Sequence, residues 1–169
     1  MSNKEVRRLR TILGYIQQGK TADDIDALEQ RAKARGRSKE LRGLDSEERV
    51  ITALSELQGV TSIRRMPKNK GADKQGIDVI VRILREEFDA DFSSVHIQVK
   101  SANSQVNQFK AMFAARRGIS IYEVEDMLKV EDMLKEERVI VLNGQKTPDS
   151  IRNQFLTQLR GITEYHRGN

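Results

Sequence analysis

Three side chains near the middle of this chain have the types and spacing that metal-assisted chemistry on phosphate esters requires. Asp78 is followed by Gln98 and, two residues further on, by Lys100. Carboxylate and amide oxygens are hard ligands of the kind that Mg²⁺ accepts, and the ion keeps several waters of its own. Such an ion polarises a phosphoryl oxygen and lowers the pKa of a bound water, while a nearby ammonium stabilises charge in the transition state. These residue types therefore predict phosphodiester hydrolysis without a covalent nucleophile.

The strands that carry these residues are expected to bring them together. Apolar and polar side chains alternate over residues 76–83 and again over residues 94–100, which predicts two β-strands. Asp78 points away from the apolar face of the first strand, and Gln98 and Lys100 share one face of the second. If the two strands pair as a hairpin, a carboxylate, a neutral oxygen ligand and an ammonium converge on one patch.

The same residues resemble a known nuclease signature. Gly76-Ile77-Asp78 followed by Gln98-Val99-Lys100-Ser101 is similar to the motif of the PD-(D/E)XK nuclease superfamily, and its Gln-x-Lys form is similar to that of Mrr-type restriction endonucleases. The preceding helix and the loop from Arg64 to Gly71 resemble those of archaeal Holliday-junction resolvases. The resemblance covers roughly residues 43–143 and includes the order of the elements.

This resemblance implies a restriction endonuclease-like fold and a DNA endonuclease that depends on Mg²⁺ or Mn²⁺. It implies that Asp78, Gln98 and the carbonyl of Val99 bind the metal, and that Lys100 is the catalytic lysine. A glutamate on the preceding helix often completes the site in the superfamily. The resemblance also implies that branched or single-stranded DNA is a substrate to test, and that the chain forms a homodimer.

Two adjacent residues compete for the place of that glutamate. The family pattern has apolar residues three, four and seven positions after the glutamate, and Glu47 meets this pattern. The three apolar residues are Val50, Ile51 and Leu54. The Glu-Arg dipeptide of the family and its spacing to the terminal glycine favour Glu48 instead. We expect Glu47, because the apolar face of the helix must turn it toward the sheet.

Two departures from the motif leave other functions open. Residue 77 is Ile where the motif has Pro, and Gln98 stands in place of a carboxylate. The site therefore holds less negative charge, which favours, as an alternative, a catalytically weak or inactive nucleic-acid-binding module on the same fold. A further alternative is a helical oligomerisation protein, in which the N-terminal helices and a tandem repeat drive assembly.

The charge balance of the chain favours a polyanionic partner. Lys and Arg outnumber Asp and Glu by 30 to 25, and basic side chains that contact phosphates favour binding by releasing counterions. The candidates for contact with a DNA backbone are Lys68, Lys70, Lys74 and Ser101. His96 shares the strand face of Gln98, and we interpret it as a polar strand residue rather than a ligand.

The predicted elements follow the order helix, three strands, helix, strand, helix, after an N-terminal helical hairpin in residues 1–40. Gly19 is expected to end the first hairpin helix, and Thr21 with Asp24 to cap the second. A strand after a crossover helix indicates an α/β fold with a mixed four-stranded sheet flanked by helices, here in a nuclease-like domain of residues 41–169. The other predicted helices are 45–58, 104–117 and one capped by Asp149 or Ser150, and the strands are 60–66, 76–83, 94–100 and 138–143.

Three further features bear on organisation, chemistry and location. The hexapeptide Val-Glu-Asp-Met-Leu-Lys occurs twice in tandem over residues 124–135, which predicts a charged helical segment. The chain has no cysteine, which excludes disulfides, thiol catalysis and zinc–cysteine sites. The start of the chain lacks the apolar run of a signal peptide, and no apolar stretch approaches membrane-spanning length. We therefore expect a cytoplasmic protein without a membrane partner.

Overall fold

The structure, a computed structural model, describes residues 3–67, 77–119 and 124–168. The chain divides into two compact units, Met1–Leu41 and Arg42–Asn169. Among the described residues, no helix combines the length and the apolar character needed to cross a membrane.

The N-terminal unit contains helix α1 (Asn3–Gln17) and the first part of helix α2 (Ala22–Ser55). Gly19 has a φ of 74°, and its N–H donates to the Ile16 carbonyl at 3.0 Å, which confirms it as the stop after α1. The Asp24 N–H donates to Thr21 Oγ1 at 3.3 Å, and the Thr21 N–H donates to Asp24 Oδ2 at 3.0 Å. The predicted capping pair is therefore confirmed, and it fixes where α2 begins.

The prediction of a separate helix starting at Asp45 or Ser46 is wrong. Helix α2 runs without a break from Ala22 to Ser55. Ser46 does not cap a helix start, because it is buried within α2 and its hydroxyl donates to the Arg42 carbonyl at 2.8 Å. The basic stretch between residues 31 and 37 consists mostly of Ala, Lys and Arg and contains no proline, so it continues the helix.

The second unit is built around a four-stranded mixed sheet, as predicted. Its strands are β1 (Val60–Arg65), β2 (Val79–Ile83), β3 (Ser94–Lys100) and β4 (Val139–Asn143). They lie in the order β1-β2-β3-β4; the first two pairings are antiparallel and the β3–β4 pairing is parallel. The connection between β2 and β3 contains a short helix, α3 (Arg85–Phe88). An architecture of helices alone is thereby excluded.

The two faces of the sheet carry separate apolar clusters. Side chains of β2, β3 and β4 pack with α2 and with the last helix, α6 (Pro148–Gly168), in the larger cluster. Val139 and Val141 face the other way, toward α4 (Asn103–Ala115) and α5 (Val124–Glu136). Parallel strands need a long crossover between them, and α4 and α5 form that crossover from β3 to β4. The sheet is therefore covered by helices on both faces.

Two predictions about the crossover helices need correction or refinement. Helical spacing in residues 104–117 predicts that Met112 and Phe113 both face inward; Phe113 is buried, but Met112 is half exposed. In the tandem repeat, Leu134 is 3% exposed while its counterpart Leu128 is 62% exposed. A step of six residues rotates a side chain by about 240° around a helix. The two copies of the hexapeptide therefore cannot present the same face to the core.

The cap of α6 lies two or three residues before the predicted one. Thr147, rather than Asp149 or Ser150, caps the helix: its hydroxyl accepts the Ser150 N–H at 3.3 Å, and its carbonyl accepts the Ile151 N–H at 2.9 Å. The apolar stripe of α6 is as expected. Its buried members include Ile151, Phe155, Leu159 and Ile162.

Candidate active site

Asp78 lies where β2 and β3 separate. Val79 pairs with Ile97 in the antiparallel β2–β3 ladder, and Asp78 directly precedes this pair in the sequence. The Asp78 N–H donates to the Ile97 carbonyl at 2.9 Å, and the Val99 N–H donates to Asp78 Oδ2 at 2.7 Å. A carboxylate thus takes the position of a backbone acceptor, which ends the ladder and fixes the Asp78 side chain against β3.

Gln98 is the most enclosed polar group of this site, with only 3% of its surface exposed. Its Nε2 donates to Asp78 Oδ2 and, at 3.3 Å, to the Val99 carbonyl. Its Oε1 is buried and has no hydrogen-bond partner in the described part of the chain. A buried acceptor without a partner costs about 1–3 kcal/mol. The protein therefore keeps an unsatisfied oxygen beside the Asp78 carboxylate at an energetic cost.

Val99 contributes its backbone to the same place. The N–H and carbonyl of one strand residue point toward the same neighbouring strand. Because the Val99 N–H donates to Asp78 and its carbonyl accepts from Gln98, both groups face the gap at the end of β2. The Val99 side chain is buried in the larger apolar cluster, which anchors this part of β3.

Lys100 is half-buried next to these groups. Its Nζ lies 5.1 Å from the centroid of the Phe109 ring on α4, a cation–π distance. Burial lowers the pKa of the Lys100 ammonium, and the nearby Asp78 carboxylate opposes this shift. The structure therefore brings the lysine into the electrostatic range of Asp78, and Phe109 holds it there.

The two candidate glutamates on α2 have different environments. The Glu47 side chain is 14% exposed and the Glu48 side chain 68% exposed, so Glu47 is the inward-facing residue. Both carboxylates pair with Arg65, Glu47 through Nε at 3.3 Å and Glu48 through Nη2 at 2.9 Å. Arg65 lies opposite Val79 on β1, hence on the sheet face that packs against α2. The described contacts of Glu47 therefore lead to Arg65 rather than to Asp78.

The oxygens that the site presents suit a hard cation that keeps waters of its own. The Asp78 carboxylate and the Val99 carbonyl both face Gln98 Nε2, and the Oε1 end of the same amide is buried and, among the described residues, unpartnered. Within residues 3–67, 77–119 and 124–168, no group of three His, Cys, Asp or Glu side chains could hold a metal ion. Any cation at this site would depend on neutral oxygens and water, which Mg²⁺ tolerates better than softer metals do.

Two further residues considered in the sequence, Ser101 and His96, lie in the described part of the chain. Ser101 precedes α4, where its N–H and hydroxyl donate to Gln105 Oε1 at 3.0 and 2.9 Å. His96 faces the same way as Gln98. Its pKa is lowered mainly by burial and further by the positive charge of Arg138. The three predicted DNA contacts Lys68, Lys70 and Lys74 lie outside the described residues.

A connection between β4 and α2 was not anticipated from the sequence. The Gly144 N–H donates to the Lys100 carbonyl at 2.8 Å, and Gln145 Nε2 donates to Ser46 Oγ at 2.8 Å. A Cβ on Gly144 would collide with the Ser46 backbone. This loop therefore ties the end of β3 to the turn of α2 that carries Glu47. The only sequence signal was a glycine after Asn143, which by itself indicates no more than a turn.

Comparison of the chain with protein-family models, with curated proteins and with solved structures finds no match. The case for this site consequently depends on its residues and their geometry.

Proposed function

We propose that this protein is a DNA endonuclease of the PD-(D/E)XK kind that depends on Mg²⁺ or Mn²⁺. The observation that supports this proposal best is the convergence of the Asp78 carboxylate and the Val99 carbonyl on the Gln98 carboxamide, whose own Oε1 is buried and, among the described residues, without a hydrogen-bond partner. A protein gains nothing in stability from an orphaned oxygen of this kind. Such an oxygen is useful where a ligand is to be bound.

Each residue has a distinct task in this proposal. A bound cation would supply Lewis-acid polarisation of the scissile phosphate and a more acidic water. Asp78, Gln98 and the Val99 carbonyl would hold it. Lys100, steadied by Phe109, would stabilise negative charge on the phosphate or orient the attacking water. Glu47 is the candidate for a further ligand, and it would have to leave Arg65 to act as one.

The choice of DNA as substrate rests on charge and on the motif. The chain carries a formal net charge of +5. Three of the lysines counted in this charge, Lys68, Lys70 and Lys74, lie in the segment before Asp78, and they would contact the phosphate backbone rather than the bases. Duplex, single-stranded and branched DNA are all candidate substrates for a site where the two central strands, β2 and β3, separate.

The experiment is cleavage of plasmid, single-stranded and branched DNA in the presence of Mg²⁺ or Mn²⁺. Wild type is compared with Asp78→Ala and Lys100→Ala, and with Lys129→Ala, an exposed lysine on α5, as a matched control. We expect the two site variants to lose cleavage and the control to keep it. Equal activity in all four proteins would refute the proposed site.

A second candidate function is favoured by one observation. The Asp78 carboxylate already accepts hydrogen bonds from Gln98 and Val99, and it is the one carboxylate that the described residues place in this immediate group. A nucleic-acid-binding module without activity would bind DNA in a salt-sensitive but metal-independent way and cleave none of the three substrates.

A further inference from the structure

The NH₂ end of the Gln98 carboxamide faces the Asp78 carboxylate and the Val99 carbonyl. These are the two oxygens that would bind a cation together with Gln98. Nε2 lies between Asp78 Oδ2 and the Val99 carbonyl, and it donates to both. The oxygen of the same amide is enclosed and, among the described residues, unpartnered. The polarised N–H group therefore occupies the place between two acceptors that a cation would otherwise take.

A half-turn of this amide would exchange its two ends at little steric cost. The terminal torsion of a glutamine side chain has a broad, roughly two-fold profile. The amide oxygen and nitrogen have nearly the same size, so the pocket that encloses one also accepts the other. After such a turn, Oε1 would face Asp78 Oδ2 and the Val99 carbonyl, and three oxygens would converge.

We propose that Gln98 is a two-position switch for the candidate site. Without a cation its Nε2 binds Asp78 and Val99, and with a cation the amide inverts to present Oε1. This inference rests on the proposed function, because it regulates that same site. It also gives a reason for Gln in place of a carboxylate: a carboxylate can only accept hydrogen bonds, and it would face Asp78 with like charge.

The inversion can be observed directly by NMR on ¹⁵N-labelled protein titrated with Mg²⁺. We expect the Gln98 side-chain NH₂ signals to be protected from exchange without Mg²⁺, and to shift and lose protection as Mg²⁺ is added. The Val99 amide reports independently whether the cation reaches Asp78. Gln158 is an internal control, because both ends of its amide are bound to the Val141 backbone: its Nε2 donates to the carbonyl at 3.0 Å and its Oε1 accepts the N–H at 3.0 Å.

The possible outcomes separate the switch from the proposed function. If Mg²⁺ shifts the Val99 amide and leaves the Gln98 side-chain signals unchanged, the inversion is wrong and the cation site stands. If saturating Mg²⁺ shifts neither, both proposals fail. If both shift while Gln158 stays constant, the switch is supported.

A substitution provides a second test with its own readouts. Gln98→Glu cannot donate to Asp78, so we expect a lower melting temperature than wild type without cation and recovery with Mg²⁺. Its Mn²⁺ affinity, measured by electron paramagnetic resonance, should rise at least roughly tenfold, since the site gains a second carboxylate and no hydrogen bond to a charged group must be broken first. A Gln98→Glu protein that binds Mn²⁺ no more tightly than wild type would contradict the switch. If this variant does not fold, the wild-type titration decides.

Discussion

At the scale of the residue, Lys100 is held by contacts of opposite electrostatic effect. Burial disfavours its charge, Asp78 favours it, and the Phe109 ring offers a cation–π contact at 5.1 Å. A lysine that meets a transferring phosphate must stay charged and in one place. We infer that the Phe109 ring helps to fix the position of the Lys100 ammonium. Burial makes the charged form of Lys100 energetically unfavourable.

Phe109→Leu tests the positioning effect. The substitution keeps an apolar side chain but removes the ring face, so Lys100 should become less ordered and cleavage should fall between a few-fold and about thirtyfold. Phe109→Tyr retains the ring and should retain most of the activity. The rate of cleavage at saturating DNA is the measurement. Equal losses in the two variants would show that packing matters here and the ring face does not.

Lys100→Met tests how much the burial of the charged Lys100 side chain destabilises the protein, and how this effect depends on pH. The folded-state pKa of Lys100 lies below its ordinary value of 10.5, so between those two values the unfolded chain binds more protons than the folded one. The free energy of unfolding therefore rises with pH between these two pKa values. Below them, the full cost of burying the charged lysine is present. We expect Lys100→Met to melt at a higher temperature than wild type at neutral pH.

The higher melting temperature of Lys100→Met should disappear above the ordinary lysine pKa, because Lys100 is then uncharged in both the folded and the unfolded chain. Thermal melts of both proteins at neutral and strongly alkaline pH check this prediction. A melting temperature for Lys100→Met below that of wild type at neutral pH would show that the Asp78 pairing outweighs burial.

At the scale of the element, the orientation of α2 on the sheet depends on a backbone contact. Gly144 packs against the Ser46 backbone, and Gln145 Nε2 donates to Ser46 Oγ and Asp45 Oδ2. This contact places Glu47 next to the β1–β2 pair, where Arg65 holds it. A small change at Gly144 should therefore affect the part of α2 that belongs to the second unit, residues 42–55.

Gly144→Ala and Gly161→Ala are expected to have opposite effects on stability. The added Cβ at position 144 meets backbone atoms that cannot move aside, so overpacking should cost about 1–3 kcal/mol. At position 161, inside α6, the nearest atom is 4.0 Å away at the end of the Lys135 side chain. There the change should stabilise by about 0.5–1 kcal/mol, because alanine favours a helix interior. Urea unfolding measures both, and equal free energies of unfolding for wild type and Gly144→Ala would exclude the predicted collision.

At the scale of the whole molecule, the protein combines a net charge of +5 with a sheet covered by helices on both faces. That charge should appear as salt-sensitive association with DNA, whether or not cleavage follows. The segment of residues 68–76 precedes Asp78 and holds three of the lysines. Because this segment lies just before Asp78 in the sequence, we expect DNA binding through it to be linked to the candidate site.

Replacing Lys68, Lys70 and Lys74 together by alanine tests this link. Removing one phosphate contact should reduce the slope of log K against log salt by about one. For the triple variant we expect a reduction of about two to three, measured by fluorescence anisotropy with Ca²⁺ in place of Mg²⁺. A second triple variant, in which Lys20, Lys129 and Lys146 become alanine, has the same net charge and is the control. An equal reduction in both would show that charge acts without regard to position.

The sequence alone was sufficient where the controlling forces are local. Strand alternation predicted that Gln98 and Lys100 share a face, and the pairing of Val79 with Ile97 agrees with the expected hairpin. The cap at Thr21 and the stop at Gly19 were also predictable, because each depends on hydrogen bonds within a few residues.

Only the tertiary structure decided which residues surround the site. The continuity of α2 through Ser46, the ring of Phe109 beside Lys100 and the approach of Gly144 to α2 join segments distant in sequence. The burial of Gln98 Oε1 without a hydrogen-bond partner among the described residues is likewise a property of the packed interior. Periodicity determines which face a side chain takes, but what it meets there depends on how the elements pack. The sequence therefore supplied the motif, and packing supplied the buried, unsatisfied oxygen that gives the motif its strongest support.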